Sequence, residues 1–352
     1  MSKTILEKLD SLTGLRMAPA AAVPDALDLI EKALPGSMGS MLIWTSGSGE
    51  IAGGFSRLLG IEKGLAAYAE GFANSATEAT MAGSTFRRDM RQQVRSRRLA
   101  DILQMPLHAF YDTSMCRAML DPWGIRDLAR CVVTYDGGPL GGLVVFRGAG
   151  APGFSRAELK TLDRCADLMG RLLQCRASPG VPVVEEPEPG IAGLDSGGRL
   201  VEATRTFRLH LAMQNQSEPG QDKANFDFRL PPEVTQAARG LGEHPATLET
   251  VGAWGRFRTT IEPYVDSDRI GLTSRRCLSA GLMMFRRTVN HPLSQRQRQA
   301  ACALAEGDSF QNMAERWQIS RSSVITHVNF LYDKLGVDGK AELMNQYVWG
   351  RN

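Results

Sequence analysis

The sequence predicts a multidomain protein in which two α+β modules precede a small all-α module of four helices. Three observations lead there. A chain of 352 residues is longer than one ordinary core accommodates. The stretch from Ala177 to Gly190 is rich in Pro, Gly and acid, so it cannot hold a helix and should run extended between domains. Beyond a second break at Asn290-His291-Pro292, mixed strand and helix patterns give way to helical spacing alone. The expected modules are residues 1–176, 191–288 and 289–352, with a linker at 177–190.

Composition narrows the class. Hydrophobic residues make up 43% and charged residues 22%, the balance of a folded, soluble protein. No stretch reaches the roughly 20 apolar residues of a membrane span. Lys3, Glu7 and Lys8 interrupt the apolar run that a secretory signal requires, so the expected location is the cytoplasm, with no membrane partner. The net charge of +3 neither demands nor forbids nucleic acid, because a local basic face matters more than the total. The six cysteines form no C-x-x-C pair and have no histidine at metal-ligand spacing, which predicts reduced, mostly buried thiols and no metal. No nucleophile elbow, P-loop or H-E-x-x-H is present, and no cofactor is expected; the chain does not read as an enzyme.

In the first module, Ala26–Leu34 and Glu62–Phe72 carry apolar residues at helical spacing, and Met41-Leu42-Ile43-Trp44 is a short strand candidate. Cys131–Tyr135 and Leu143–Phe146 read as strands joined by the hairpin signal Asp136-Gly137-Gly138. Ser155 and Glu158 match a capping box. The helix they open carries Leu159, Leu162, Ala166, Met169 and Leu173 as an apolar seam, expected to pack in the core. This strand–turn–strand–helix ending resembles GAF domains. In the second module, the segment from Ile191 to Ala203, turning on Asp195-Ser196-Gly197-Gly198, resembles the opening of a PAS domain, and further strands are expected at Trp254–Ile261 and Leu282–Arg286. Both resemblances imply small α+β sensor modules able to hold a small-molecule ligand or a protein partner.

The last module is the most informative. Ser294 stands at an N-cap with Gln297 three residues on, and Ala300, Ala301 and Leu304 face inward until Gly307 ends the helix. Ser309 caps a second helix over Gln311–Arg316, with Met313, Ala314 and Trp317 as its apolar side. Ser320-Arg321-Ser322 opens a third, in which Val324, Val328, Leu331 and Leu335 form one buried stripe. Gly336 breaks it, and a fourth runs from about Lys340 to Trp349. Ser322, Ile325, Thr326 and Asn329 are left on another face, the kind of strip a helix presents to base edges in the major groove.

Leu293 to Glu342 resembles, without a gap, the LuxR-type (GerE-type) helix-turn-helix. Matching positions include Leu293, Arg296, Gly307, Ser309, Ala314, Ile319, Ser320, Val324, His327, Lys334, Leu335, Gly336, Val337 and Glu342. The resemblance implies a transcriptional regulator that binds double-stranded DNA through its third helix, with the fourth commonly forming a homodimer contact. Departures are Gln297, Ser323 and Lys340, where the family often has Glu, Thr and Arg, and Ile325 and Asn329, where several relatives carry lysine. From 291 to 352, seven Lys and Arg face six Asp and Glu, leaving +1, so a monomer should hold phosphate weakly.

The expected base readers are Thr326 and Asn329, with Ile325 against a thymine methyl. Arg321, Ser322, Ser323 and Lys340 are expected on phosphates. His327 is read as a packing residue, Trp317 as core, and the basic run Arg87–Arg98 as the solvated face of a helix. Phe110-Tyr111-Asp112 and Asp121-Pro122-Trp123 are read as loop and core edge. The expected activity is operator binding controlled by a signal at the sensor modules. The rival is an adaptor or anti-activator whose helix-turn-helix mainly contacts protein.

Overall fold

Continuous apolar runs mark strands covered on both faces, and such runs dominate the centre of the first unit. The computed structural model describes residues 2–46, 48–176, 180–215, 229–242, 244–264 and 269–350. Most of the first unit is Val23–Gln174. Its sheet comprises β1 (Gly39–Thr45), β2 (Ile51–Ser56), β3 (Arg97–Arg98), β4 (Ile125–Tyr135) and β5 (Gly138–Gly148), in the order β2-β1-β5-β4-β3 with antiparallel neighbours. After α1 (Ser2–Leu12), α2 (Val23–Ala33) packs on β1; short helices follow as α3 (Ile61–Gly71), α4 (Ala76–Ala82), α5 (Phe86–Arg91), α6 (Leu99–Ile102), α7 (Leu107–Tyr111) and α8 (Ser114–Met119). The long α9 (Arg156–Leu173) packs on β4.

The hairpin and helix expected from the sequence are present. Asp136 and Gly137 both take positive φ, 50° and 76°, the geometry whose twist matches the flanking strands. Ser155 and Glu158 form the capping box of α9. Along α9, Leu162, Ala166 and Met169 are buried and Leu159 and Leu173 half-buried, so the seam serves the core. Gly170 lets α9 approach the sheet closely, since a Cβ there would lie 2.1 Å from the Thr134 carbonyl oxygen. The basic run is not one helical face: α5 ends at Arg91 and Gln93 turns the chain at φ 49°. Its arginines are drawn to carboxylates, Arg87 to Glu50, Arg95 to Asp163 and Asp167, Arg97 to Asp89 and Arg98 to Asp101. Phe110 is a core residue, and Trp123 packs against Gly60 and Gly64.

The second unit gathers Glu7–Ala22, Cys175–His210 and the chain from Pro232 onward. Its sheet contains β6 (Val183–Glu185), β7 (Gly190–Leu194), β8 (Leu200–Ala203), β9 (Ala246–Gly252), β10 (Gly255–Pro263) and β11 (Ile270–Ser279), ordered β8-β7-β11-β10-β9, with β6 also on β11. Within the Pro-rich stretch Val183–Glu185 forms β6, paired with β11; residues 177–179 lie outside the described residues. Helix α11 (Pro232–Arg239) and the first half of α10 (Arg205–Asn215), up to His210, complete this part.

A further expectation is corrected. Leu282–Arg286 is not a strand but the middle of α12 (Ala280–Thr288). Ser279 caps it, its hydroxyl accepting from the Leu282 N–H at 3.2 Å. Leu282, Met283, Met284 and Phe285 are all buried, and a short, wholly apolar run has no period that separates helix from strand. Helix α12 packs against α13 (Gln295–Ala305) and against the turn Asn345–Trp349. Then come α14 (Phe310–Trp317), α15 (Arg321–Leu335) and α16 (Lys340–Met344); the last turn, 345–349, is π-helical where a continuing α-helix was expected.

The thiols are as expected: Cys116, Cys131, Cys165, Cys277 and Cys302 are buried and Cys175 half-buried. Burial pushes Cys165 up to about 12 and Cys116 to about 11, which keeps them protonated. Among the described residues no helix is long and apolar enough to cross a membrane.

Candidate nucleic-acid interface

Caps fix where each helix of the last module begins. The Ser294 hydroxyl accepts from the Gln297 N–H at 3.3 Å, and the Gln297 side chain accepts from the Ser294 N–H at 2.8 Å. Ser309 and Ser320 do the same for α14 and α15, each accepting an N–H three residues on at 3.1 Å. Gly307 and Gly336 end α13 and α15 at φ 86° and 66°. Between α14 and α15 the chain turns through Gln318 at φ 53°, a left-handed position held by a residue with a side chain.

These caps orient α15. Val324, Val328, Leu331 and Leu335 are its buried stripe, as the spacing predicts. Arg321, Ser322, Thr326 and Asn329 are exposed, Ser323 and Ile325 half-buried. Six of the seven proposed contact residues thus share the first turns of one helix, while Lys340 stands exposed at the start of α16. The Thr326 hydroxyl donates to the Ser322 carbonyl at 3.0 Å, which leaves its lone pairs outward as acceptors. The hydroxyls of Ser322 and Ser323 each lie 2.8 Å from that of Ser320. Phe330, next to Asn329, is 54% exposed and was not singled out from the sequence; its signal was an aromatic standing off the buried stripe.

One cation of the module is buried, and three exposed ones are engaged by neighbours. Arg298 is 2% exposed and donates to the Leu293 carbonyl at 3.2 Å; burial lowers its pKa. Lys334 donates to the Pro292 carbonyl at 2.9 Å, and Arg316 pairs with Asp308 at 2.9 Å. The Arg296 guanidinium lies over the Trp317 ring, 5.4 Å from its centroid, and Trp317 is half-buried rather than enclosed. His327 is also half-buried.

The module is also held by a segment far away in sequence. The backbone N–H of Arg16 donates to the Glu306 carboxylate at 2.8 Å, and its guanidinium reaches the Glu306 carbonyl at 2.9 Å and Asp308 at 2.8 Å. Gln295 donates to Asp10. On the other side, a Cβ on Gly281 of α12 would lie 2.5 Å from the Glu306 carboxylate. Burial raises the Glu306 carboxyl, and the Arg16 contacts counter that rise. Nothing in the sequence signalled these contacts.

Residues 291–346 match the family described as bacterial regulatory proteins, luxR family. The chain is 37% identical over 155 residues to the probable transcriptional regulatory protein SgaR of Hyphomicrobium methylovorum, covering 42% of this chain and 74% of that protein. Among solved structures, it is similar to the GAF domain of the cyanobacteriochrome TePixJ at 13% identity and a TM-score of 0.29, covering 46% of this chain and 92% of that one. It is also similar to VqmA of Vibrio cholerae at 17% identity and a TM-score of 0.20, covering 46% of this chain and 81% of that one.

Proposed function

Because the chain belongs to the LuxR family of bacterial regulatory proteins, a non-enzymatic family of DNA-binding transcription regulators, we propose that it recognises an operator through α15 and does so as a homodimer. One observation carries this reading: Ser322, Thr326 and Asn329 are exposed together on the first turns of a helix whose opposite stripe is fully packed. In the major groove those turns lie nearest the base edges. Thr326 and Asn329 read bases, and Ile325 meets a thymine methyl. Arg321, Ser322, Ser323 and Lys340 hold phosphates, aided by the free amides at the start of α15. The weak net charge of the module makes two copies on a two-fold site the effective binding unit.

The GAF-like first unit and a PAS-like sheet in the second receive the input, which shifts the population of dimers whose two reading helices match the operator spacing. The protein acts in the cytoplasm. Selection from a pool of genomic fragments at two salt concentrations tests this reading. Enrichment of a two-fold symmetric motif, weakened at higher salt and lost in Asn329→Ala, supports it. No enrichment by folded, dimeric protein at low salt sinks it and favours the adaptor reading, in which contacts are with protein and insensitive to salt.

A further inference from the structure

Protein interiors pack as densely as organic crystals, with few spaces larger than a water molecule. The first unit departs from that. Between the sheet and helices α3 to α8 lies a cavity of about 100 Å³. Its walls are apolar apart from Tyr68, Glu78 and Arg130, and Met41, Met115 and Met119 supply flexible surface that can close on different shapes.

The three polar groups define what the cavity accepts. The Tyr68 hydroxyl donates to Glu78, whose carboxylate also takes the N–H groups of Asn74 at 2.7 Å and Phe86 at 3.0 Å. Glu78 is therefore already satisfied. Behind the wall, Asp89 pairs with Arg130 at 2.5 Å and with Arg97 at 2.8 Å. Two carboxylates and two guanidiniums cancel, so an ionised ligand would leave water without finding an uncompensated partner. Arg130 also donates to the Tyr68 oxygen; of its five N–H donors some remain beyond those spent on Asp89 and Tyr68, and the Tyr68 oxygen, its proton given to Glu78, keeps a second lone pair. Burial pushes the Tyr68 phenol up, so that donation persists at neutral pH.

We propose that this cavity is a binding site for a small, uncharged, largely apolar organic molecule of single-ring size, whose one hydroxyl or carbonyl group lies against Arg130 and Tyr68. The size follows from volume: an engineered apolar cavity of about 150 Å³ holds benzene, so this one, at about 100 Å³, takes a single ring with a small substituent only as its methionine walls move outward. The proposal rests on the reading of the first unit as the input module, and it names the chemical class of that input.

The test uses the full chain and three probes followed by fluorine NMR: 4-fluorophenol, fluorobenzene and 4-fluorobenzoate. The expected result is saturable binding of 4-fluorophenol at about millimolar Kd or tighter. Fluorobenzene should bind about tenfold more weakly, and the ionised benzoate should not bind. Ala82→Leu, which fills the cavity, should remove 4-fluorophenol binding while the melting temperature stays or rises. Absence of saturable binding of both neutral probes up to about 10 mM overturns the proposal. So does tighter binding of the benzoate, which means an anion site, or unchanged binding in a folded Ala82→Leu variant. No readout involves DNA, so failure of the operator reading would show separately.

Discussion

Arg16 grips Glu306 twice, donating its backbone N–H to the carboxylate at 2.8 Å and its guanidinium to the carbonyl at 2.9 Å, although 290 positions separate them. The Glu306 side chain is 1% exposed, and Asp308, which shares the same guanidinium, is 4% exposed. Removing the cation strands two buried carboxylates with Arg316 as the remaining counterion. Arg16→Ala should therefore lower the stability of the second unit by about 2–3 kcal/mol. Urea unfolding would show this. Glu306→Gln should cost less, because the amide oxygen still accepts from the Arg16 N–H.

The turn into α15 gives a prediction of opposite sign. Gln318 sits at φ 53°, where a Cβ is disfavoured and glycine is not. Gln318→Gly should stabilise the module by about 0.5–1 kcal/mol. Two residues on, Ser320→Ala should destabilise it by about 1 kcal/mol, since the Ser323 N–H loses its acceptor. Thermal unfolding of the two variants should move the midpoint in opposite directions.

Glu186 makes the second unit sensitive to acid. Burial alone would raise its carboxyl, but the hydrogen bond from His210 and the guanidiniums of Arg286 and Arg276 outweigh burial and hold it at about 2, against 4.5 unperturbed. A carboxyl depressed by folding adds stability above its unfolded pKa and loses it as pH falls toward the folded value. The window is therefore about pH 4.5 down to 2, and the contribution is up to about 3 kcal/mol. Denaturation midpoints measured across that window should fall less steeply in Glu186→Gln than in the parent.

On DNA, the two kinds of proposed contact should separate. Thr326→Ala and Asn329→Ala should relax preference at particular base pairs by about 1–3 kcal/mol each. Lys340→Ala should weaken all sequences alike and flatten the salt dependence by about one unit of slope. Titrations against a selected site and a scrambled one, each at several salt concentrations, distinguish these patterns.

What the sequence revealed was local. Caps at Ser155, Ser294, Ser309 and Ser320 act within three residues, and the stripe Val324-Val328-Leu331-Leu335 follows from helical period alone, so all were legible. Leu282–Phe285 misled because a run buried all round has no face to betray its period. Arg16, Arg130 and Glu78 gave no sign of their roles, since their meaning lies in partners brought together only by the fold. Charge counting overstated the free surface cations, because burial of Arg298 and the pairing of exposed Arg316 with Asp308 cannot be read from residue type.

The grip of Arg16 on Glu306 also sets an order of events during synthesis. At about 5–20 residues per second, the 290 intervening residues take about 15–60 seconds to emerge from the ribosome. Leu9, Leu12 and Leu15 are buried in the finished protein, and Leu15 lines a cavity with Gln299, Cys302 and Ala303 of α13, which do not exist throughout that delay. Most of the first unit, Val23–Gln174, is one contiguous segment and can close in the meantime, whereas the second must wait for α13. Any pause between the two segments therefore lengthens the life of a bare hydrophobic arm, and α13 is the helix that ends it.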